Sequence, residues 1–415
     1  MASILVMTSP ARGHLYPLVE TLLELRAHGH AVYVSTLSSE VATLADLGID
    51  GCPLPTELDE AELADAHTTG VITGLMAVGD QLFARCQAEY EHFSRLIAER
   101  EPDLLLCDLT TPGAQMAAER SGLPWAVWSP TYLPAFSTDG PPPLIGLPVK
   151  RGMVGRARDF CLGHTARRAL DLFALRRGNE FRTRFGLAPI DHVDEQFVRA
   201  PLVLNFLGAP IEKQRRDWPA SVKLVGPSTW APPSRPDPRI AAIDRPVALV
   251  TCSTEMQNDG MLAQVTLDAL EHTGFHTVVT TGAMMPEILR KAAHSTVMQF
   301  GPHDQILDNA AVVVTHGGMG ITMKALARGI PMVIAPFGRD QHDTAQRVVT
   351  SGAGVRVDPR ALDAAGMHAA IMTALGQRGR ARAAATSMDA KNSGVRAAEH
   401  VEELLRDRGE DRAVA

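Results

Sequence analysis

The chain has 415 residues, 45% apolar and 21% charged, with a net charge of −7 at pH 7. That length supports two cores of ordinary domain size, and the acidic balance argues against a nucleic-acid-binding body. No run of eighteen apolar residues exists to span a membrane. Five scattered cysteines without metal spacing, and an N-terminus lacking a basic, apolar leader, fit a cytoplasmic protein.

In chain order, Ile4–Thr8 reads as a first strand, Ser9–His14 as the loop after it and Pro17–His28 as a helix, with Leu18, Leu22 and Leu25 at helical spacing. Strand Ala31–Ser35, helix Ser38–Leu47 and strand Ile49–Leu54 continue the alternation. Glu57–Glu101 breaks it and reads as helices laid over a sheet. Met76 and Phe83 there, with Tyr132 and Phe136 further on, are candidates for lining a lipophilic pocket. Asp103–Cys107 is the next strand, with Asp108 at its end, and Pro124–Trp128 follows a helix at Pro112–Arg120. Thr131–Arg151 is a proline-rich irregular loop, long enough to serve a ligand. Val149–Arg184 reads as a basic helix, a solvated face or a weak membrane-surface contact.

Late strands at Pro201–Phe206 and Val222–Val225 close the first half. Gly226–Pro246, with six prolines, is the linker. Val247–Cys252 opens a second βα series: helix Gly260–His272, strand His276–Thr280, helix Pro286–Ala293 and strand Thr296–Phe300. Strand Ala311–Thr315 runs into His316-Gly317-Gly318-Met319-Gly320, then helix Ile321–Arg328, strand Ile330–Ala335 and a loop ending in Asp340-Gln341. A last strand at Ala353–Val357 and helices near Leu362–Leu375 and Gly394–Arg408 finish the chain. The pattern predicts an α/β protein with two Rossmann-like, doubly wound parallel-sheet domains facing across a cleft. The divisions are 1–226, a linker at 227–245, 246–392, and a terminal helix at 393–415.

Two loops carry candidate chemistry. Glycines at a helix start let backbone approach a phosphate, and the helix N-terminus attracts its charge. An imidazole beside them can donate to a diphosphate, and a carboxylate next to an amide can hold vicinal hydroxyls. Together they describe a nucleotide-sugar site. His14, after the first strand, has the residue type of a general base near neutral pH. Asp108, at the end of a strand of the same sheet, can fix its tautomer, although both residues also suit plain helix capping.

The segment Phe300-Gly301-Pro302-His303, His316-Gly317-Gly318, Gly329-Ile330-Pro331, Pro336, Asp340-Gln341 resembles the donor signature of the UDP-glycosyltransferase-like family, and within it the bacterial antibiotic glycosyltransferases. The loop Gly13-His14-Leu15-Tyr16-Pro17 matches the family's base loop. The resemblance implies the GT-B fold, with the terminal helix at 393–415 sent back across the cleft to the first domain, His14 as base and Asp108 assisting. It implies a diphosphate held by His316, Gly318, Met319, Gly320 and Thr322, with Ser253 and Thr254 close by. Phe300 and Gly301 would border the base, and Asp340 and Gln341 the sugar hydroxyls. The co-substrate would be a UDP- or TDP-sugar, with no metal needed, and the product an inverted glycoside of a lipophilic small molecule. Four positions depart from the signature: Phe300 and His303 replace Trp and Gln, Thr344 replaces Asn, and Lys324 replaces the acid that holds the ribose. An epimerase or hydrolase on the same fold, or a non-catalytic partner protein, are the competing readings, and both monomer and homodimer stay open.

Overall fold

The computed structural model describes residues 1–61, 71–150, 152–253 and 259–414. Seven strands form the first sheet: β1 (Ser3–Met7), β2 (Ala31–Thr36), β3 (Asp50–Pro53), β4 (Leu104–Asp108), β5 (Trp125–Ser129), β6 (Leu202–Asn205) and β7 (Val222–Leu224). Six form the second: β8 (Val247–Thr251), β9 (His276–Thr280), β10 (Ser295–Met298), β11 (Ala310–Thr315), β12 (Met332–Ile334) and β13 (Gly354–Arg356). Every pairing is parallel, in the orders β3-β2-β1-β4-β5-β6-β7 and β10-β9-β8-β11-β12-β13.

Parallel strands need crossover helices, which cover both faces and bury both sets of alternating side chains. In the first sheet, Ile4, Val6, Leu104 and Leu106 pack on one face, and Leu5, Met7, Leu105 and Cys107 on the other. The helices of this half are α1 (Arg12–Ala27), α2 (Ser38–Asp46), α3 (Thr56–Asp59), α4 (Val71–Arg100), α5 (Pro112–Ser121), α6 (Met153–Leu170), α7 (Arg176–Arg184) and α8 (Glu195–Val198). After it come α9 (Pro238–Ala241), α10 (Gly260–Leu270), α11 (His303–Asp308), α12 (Met319–Ala327), α13 (Gln341–Ser351), α14 (Ala364–Leu375), α15 (Arg378–Thr386) and α16 (Ser393–Val414). Ala397, Ala398 and Val401 of α16 are fully buried in the first half's core with Leu18 and Leu22 of α1, so the terminal helix returns to that half.

Four local expectations change. Helix α1 begins at Arg12, five residues before Pro17, so His14 sits in the first helical turn and not in a loop. Pro17 therefore stands in the second turn, where its ring removes one intrahelical bond, the one that an N–H there would make to the Gly13 carbonyl. The helix expected at 286–293 is a single 3₁₀ turn, Pro286–Ile288, ended by the buried, extended Leu289. The basic helix begins only at Met153 and carries a π turn, Asp171–Leu175, through which the backbone stays helical to Arg184. A third closing helix, α15, lies between the two expected ones.

Candidate active site

Strand order reverses between β1 and β4 in one sheet and between β8 and β11 in the other. Loops leaving those strands diverge, and the crevices so made are where open α/β sheets take ligands. His14 and Asp108 lie at the first of these points, and Ser253 and His316–Gly320 at the second.

At the first, His14 Nδ1 is 2.9 Å from Asp108 Oδ2 and 3.0 Å from Oδ1. Asp108 is fully buried, and its Oδ1 accepts from both the N–H and the hydroxyl of Thr110 at 2.8 Å. Burial pushes its carboxyl up, but the facing imidazole and the Thr110 donors outweigh this and leave it below the ordinary range. An anionic Asp108 fixes the Nδ1–H tautomer, which makes Nε2 the basic nitrogen of the ring. The His14 side chain remains 22% exposed, within reach of a substrate. Across the cleft, the half-buried Asp340 takes the Thr131 hydroxyl, its carboxyl pushed up by desolvation and drawn down by Thr131 and by the nearby His14. Thr131 follows β5 of the first half, so a contact from each half meets beside the base.

At the second crevice, His316 follows β11 and is buried, and burial pushes it down to about 4. It is therefore a neutral imidazole at pH 7. Gly317 has a φ of +100°, and a Cβ on Gly318 would lie 2.7 Å from His316 Nε2, so the ring and the helix start pack only around glycine. Gly320 has open space where a Cβ would be. Met319 packs partly buried on the core. Ser253 donates its N–H to Asp259 at 2.6 Å, and Thr254 lies outside the described residues. Thr322 departs from its expected role: it is fully buried, and its hydroxyl donates to Gly318 O at 2.8 Å, the back-bond that threonine makes inside a helix. Gln341 is also buried, with its amide oxygen accepting from Phe337 N at 2.8 Å and Gly338 N at 3.2 Å, so that end braces its own loop. Phe300 is 55% exposed, with the Arg12 guanidinium 5.9 Å from its ring centre. Gly301 packs against Met298, Thr280 and Ile306 too closely for a Cβ.

Lys324 lies with its amine 3.6 Å from Asp304, which also meets Arg328 at 3.1 Å. Burial pushes its amine down, partly offset by Asp304. A carboxylate therefore stands in this neighbourhood after all, on α11 instead of α12. His303 is half-buried, bonded to the Thr280 hydroxyl at 3.0 Å and pushed down by desolvation to about 4.

The four expected acceptor residues do not gather into one pocket. Phe83 stacks on Phe181 of α7, and Phe136 tilts against His164 of α6. Tyr132 is buried in the core between the halves under Arg347, and Met76 is exposed on α4. Their sequence signal was apolarity alone, which marks core and pocket equally. Sequence reasoning missed Thr131, Asp304 and Asp343. Asp343 accepts the backbone N–H of Leu144 and that of Gly146, the latter at 3.1 Å, tying the proline-rich loop to α13. Only its spacing in Asp340-Gln341-His342-Asp343 hinted at a role. Among the described residues no group of three His, Cys, Asp or Glu could hold a metal ion, and no helix is long and apolar enough to cross a membrane.

Two facing doubly wound domains with loops converging at both switch points define the GT-B fold. Solved structures agree. The kitacinnamycin glycotransferase superposes with a TM-score of 0.72 at 22% identity, covering 97% of this chain and 99% of that one. The glycosyltransferase VinC in complex with dTDP gives 0.69 at 18% identity, covering 98% and 100%. Residues 264–405 match the family described as erythromycin biosynthesis protein CIII-like, C-terminal domain. The 4'-demethylrebeccamycin synthase of Lentzea aerocolonigenes is 32% identical over 390 residues, 90% of this chain and 92% of the relative. The chain belongs to the bacterial natural-product glycosyltransferases of the GT-B fold.

Proposed function

We propose that the protein is an inverting glycosyltransferase, moving a hexose or deoxyhexose from a UDP- or TDP-sugar to a hydroxyl of a lipophilic natural product. The first domain, 1–226, takes the acceptor. The second, 246–392, takes the donor, and 227–245 links them. In this reading His14 Nε2 removes the acceptor hydroxyl proton as its oxygen bonds the anomeric carbon. The bond from that carbon to the diphosphate oxygen breaks, and the nucleoside diphosphate leaves with the electron pair. One displacement inverts the anomeric centre. Asp108 stabilises the imidazolium, and the amides at the start of α12 with the neutral His316 meet the charge growing on the diphosphate.

The observation that carries this is the His14–Asp108 pair, set at one switch point across from Asp340. The VinC complex with dTDP, at the same fold, supports a TDP-sugar as the first donor to try. The test has two parts. Calorimetric titration with TDP and UDP should find one tight binder, retained by His14→Ala. Transfer to a panel of phenolic and polyketide acceptors should fall at least about 10³-fold in that variant. Asp108→Asn should lose about 10²-fold or more and move the acid limb of the rate profile to lower pH. Undiminished transfer by His14→Ala rules out the base assignment.

A further inference from the structure

The Asp108 carboxylate is only as well placed as the turn that carries it, and that turn is held from the neighbouring helix α4. Arg85 and Glu89 lie one helical turn apart on α4, with Arg85 Nε 3.4 Å from Glu89 Oε1. They are 6% and 1% exposed, inside the contact with α5. Arg85 Nη2 donates to Thr110 O at 3.0 Å, and Glu89 Oε2 accepts from Gly113 N at 3.0 Å. Gly113 is the second residue of α5, and a Cβ there would run into the Cys86 carbonyl, so backbone lies directly on backbone. The two side chains thus grip the β4–α5 turn at both ends. Between those grips Thr110 turns its N–H and hydroxyl onto Asp108 Oδ1, opposite His14.

We propose that Arg85 and Glu89 form a positioning pair for the reaction, acting through Thr110 to fix the Asp108 carboxylate against His14. A buried ion pair is a costly way to glue two helices, since apolar side chains of similar volume do it as well. Its directional bonds add what apolar packing cannot, a fixed carbonyl and a fixed N–H two and five residues beyond Asp108. Other titratable groups bear on the cluster: Cys86 on α4, Cys107 on β4, and Asp340 across the cleft. Burial pushes Glu89 up to about 7, against the pull of Arg85 and Gly113. The ionised form that grips both partners is therefore sensitive to losing either. This inference builds on the proposed pairing of His14 with Asp108 as base and assistant.

The test needs no substrate. Ring-¹⁵N-labelled histidine reports the tautomer and the titration of His14 in the whole protein, with Asp108→Asn setting the full effect of losing the carboxylate. Arg85→Met, which keeps length and loses the bond to Thr110, should lower the His14 titration midpoint by about half a pH unit and dilute the Nδ1–H tautomer. Arg85→Lys, able to donate to the same carbonyl, should restore most of both. If Arg85→Met does not fold, Glu89→Gln carries the test, because it keeps volume and an acceptor while cancelling the charge that pins Arg85; a smaller shift in the same direction is expected. A lowered urea midpoint with His14 titrating as in the wild type would overturn the proposal and leave only a structural ion pair. That result would leave the base assignment standing, since His14→Ala tests it separately.

Discussion

His303 replaces a side chain that the family signature gives as glutamine, and its surroundings say what the change entails. It is half-buried, bonded to Thr280 and pushed down by desolvation to about 4. Unfolded, it titrates near 6.5, so between those values the native state binds fewer protons than the unfolded chain. Its contribution to stability is complete above pH 6.5 and is lost as pH falls toward 4, with a slope of about 1.4 kcal/mol per pH unit. His316 adds a second such slope. Glu89, pushed up to about 7, and Asp343, pushed up to about 6, act in the opposite sense, since their native forms take up protons first. The total acid dependence is thus a difference of opposed slopes, and a single substitution isolates one of them. His303→Gln should flatten the stability gain from pH 5 to pH 6 by about 1.4 kcal/mol, read as urea unfolding at the two pH values. An unchanged dependence would mean that His303 titrates normally in the folded protein.

At the scale of elements, the proline-rich loop after β5 is the segment whose conformation depends most on its partner. Leu144 adopts a φ of +75°, rare for a residue with a side chain, and Gly146 a φ of +64° with His342 too close for a Cβ. Both N–H groups point at Asp343. A backbone held in the left-handed region persists only where its surroundings fix it. Asp343→Ala should therefore release this loop, seen as at least about tenfold faster amide exchange at Leu144 and Gly146 while α13 itself stays protected. Retained protection at both amides would show that the prolines alone hold the loop. The strands were legible because β-branched and leucine runs, buried on both faces, leave a continuous apolar signal, as in Ala310–Thr315. His14 and Asp108 were legible because a strand end fixes where the next residue stands. Asp343, Thr131 and the Arg85–Glu89 pair were not, because each gains its meaning from a partner between 24 and 209 residues away. The start of α1 was misread because Pro17 marks a helix beginning in sequence, whereas here it is tolerated inside the first turns.

The two halves are joined by buried charge as well as by the linker. Arg347 of α13 reaches across to the segment after β6, with Nη1 3.0 Å from Ile211 O and Nη2 3.2 Å from Glu212 Oε2. Its guanidinium lies 5.3 Å from the centre of the Tyr132 ring, and Glu212 also meets Arg215 at 3.4 Å. Burial alone would push Arg347 down, but Glu212, Tyr132 and Asp343 outweigh it and hold the cation charged. Tyr132, Leu207 and Ile211 of the first half share one apolar cluster with Ile334 and Val348 of the second. A hinge that opened here would expose that cluster and separate a buried ion pair from its partner, so this edge of the interface should move as one body with α13. Arg347→Ala removes the cation and leaves Glu212 buried with Arg215 alone, a loss of about 3–5 kcal/mol by comparison with other broken buried pairs. Helix α16 still ties α1 to the second half in that variant, with Ser393 bonding Glu20 at 3.3 Å, so the domains stay associated but no longer stabilise each other fully. The expected calorimetric result is one endotherm for the wild type and a broadened or split endotherm at lower temperature for the variant. A single endotherm at an unchanged temperature would mean that the apolar cluster carries the interface, with Arg347 contributing only the orientation of Tyr132 and the loop that follows it.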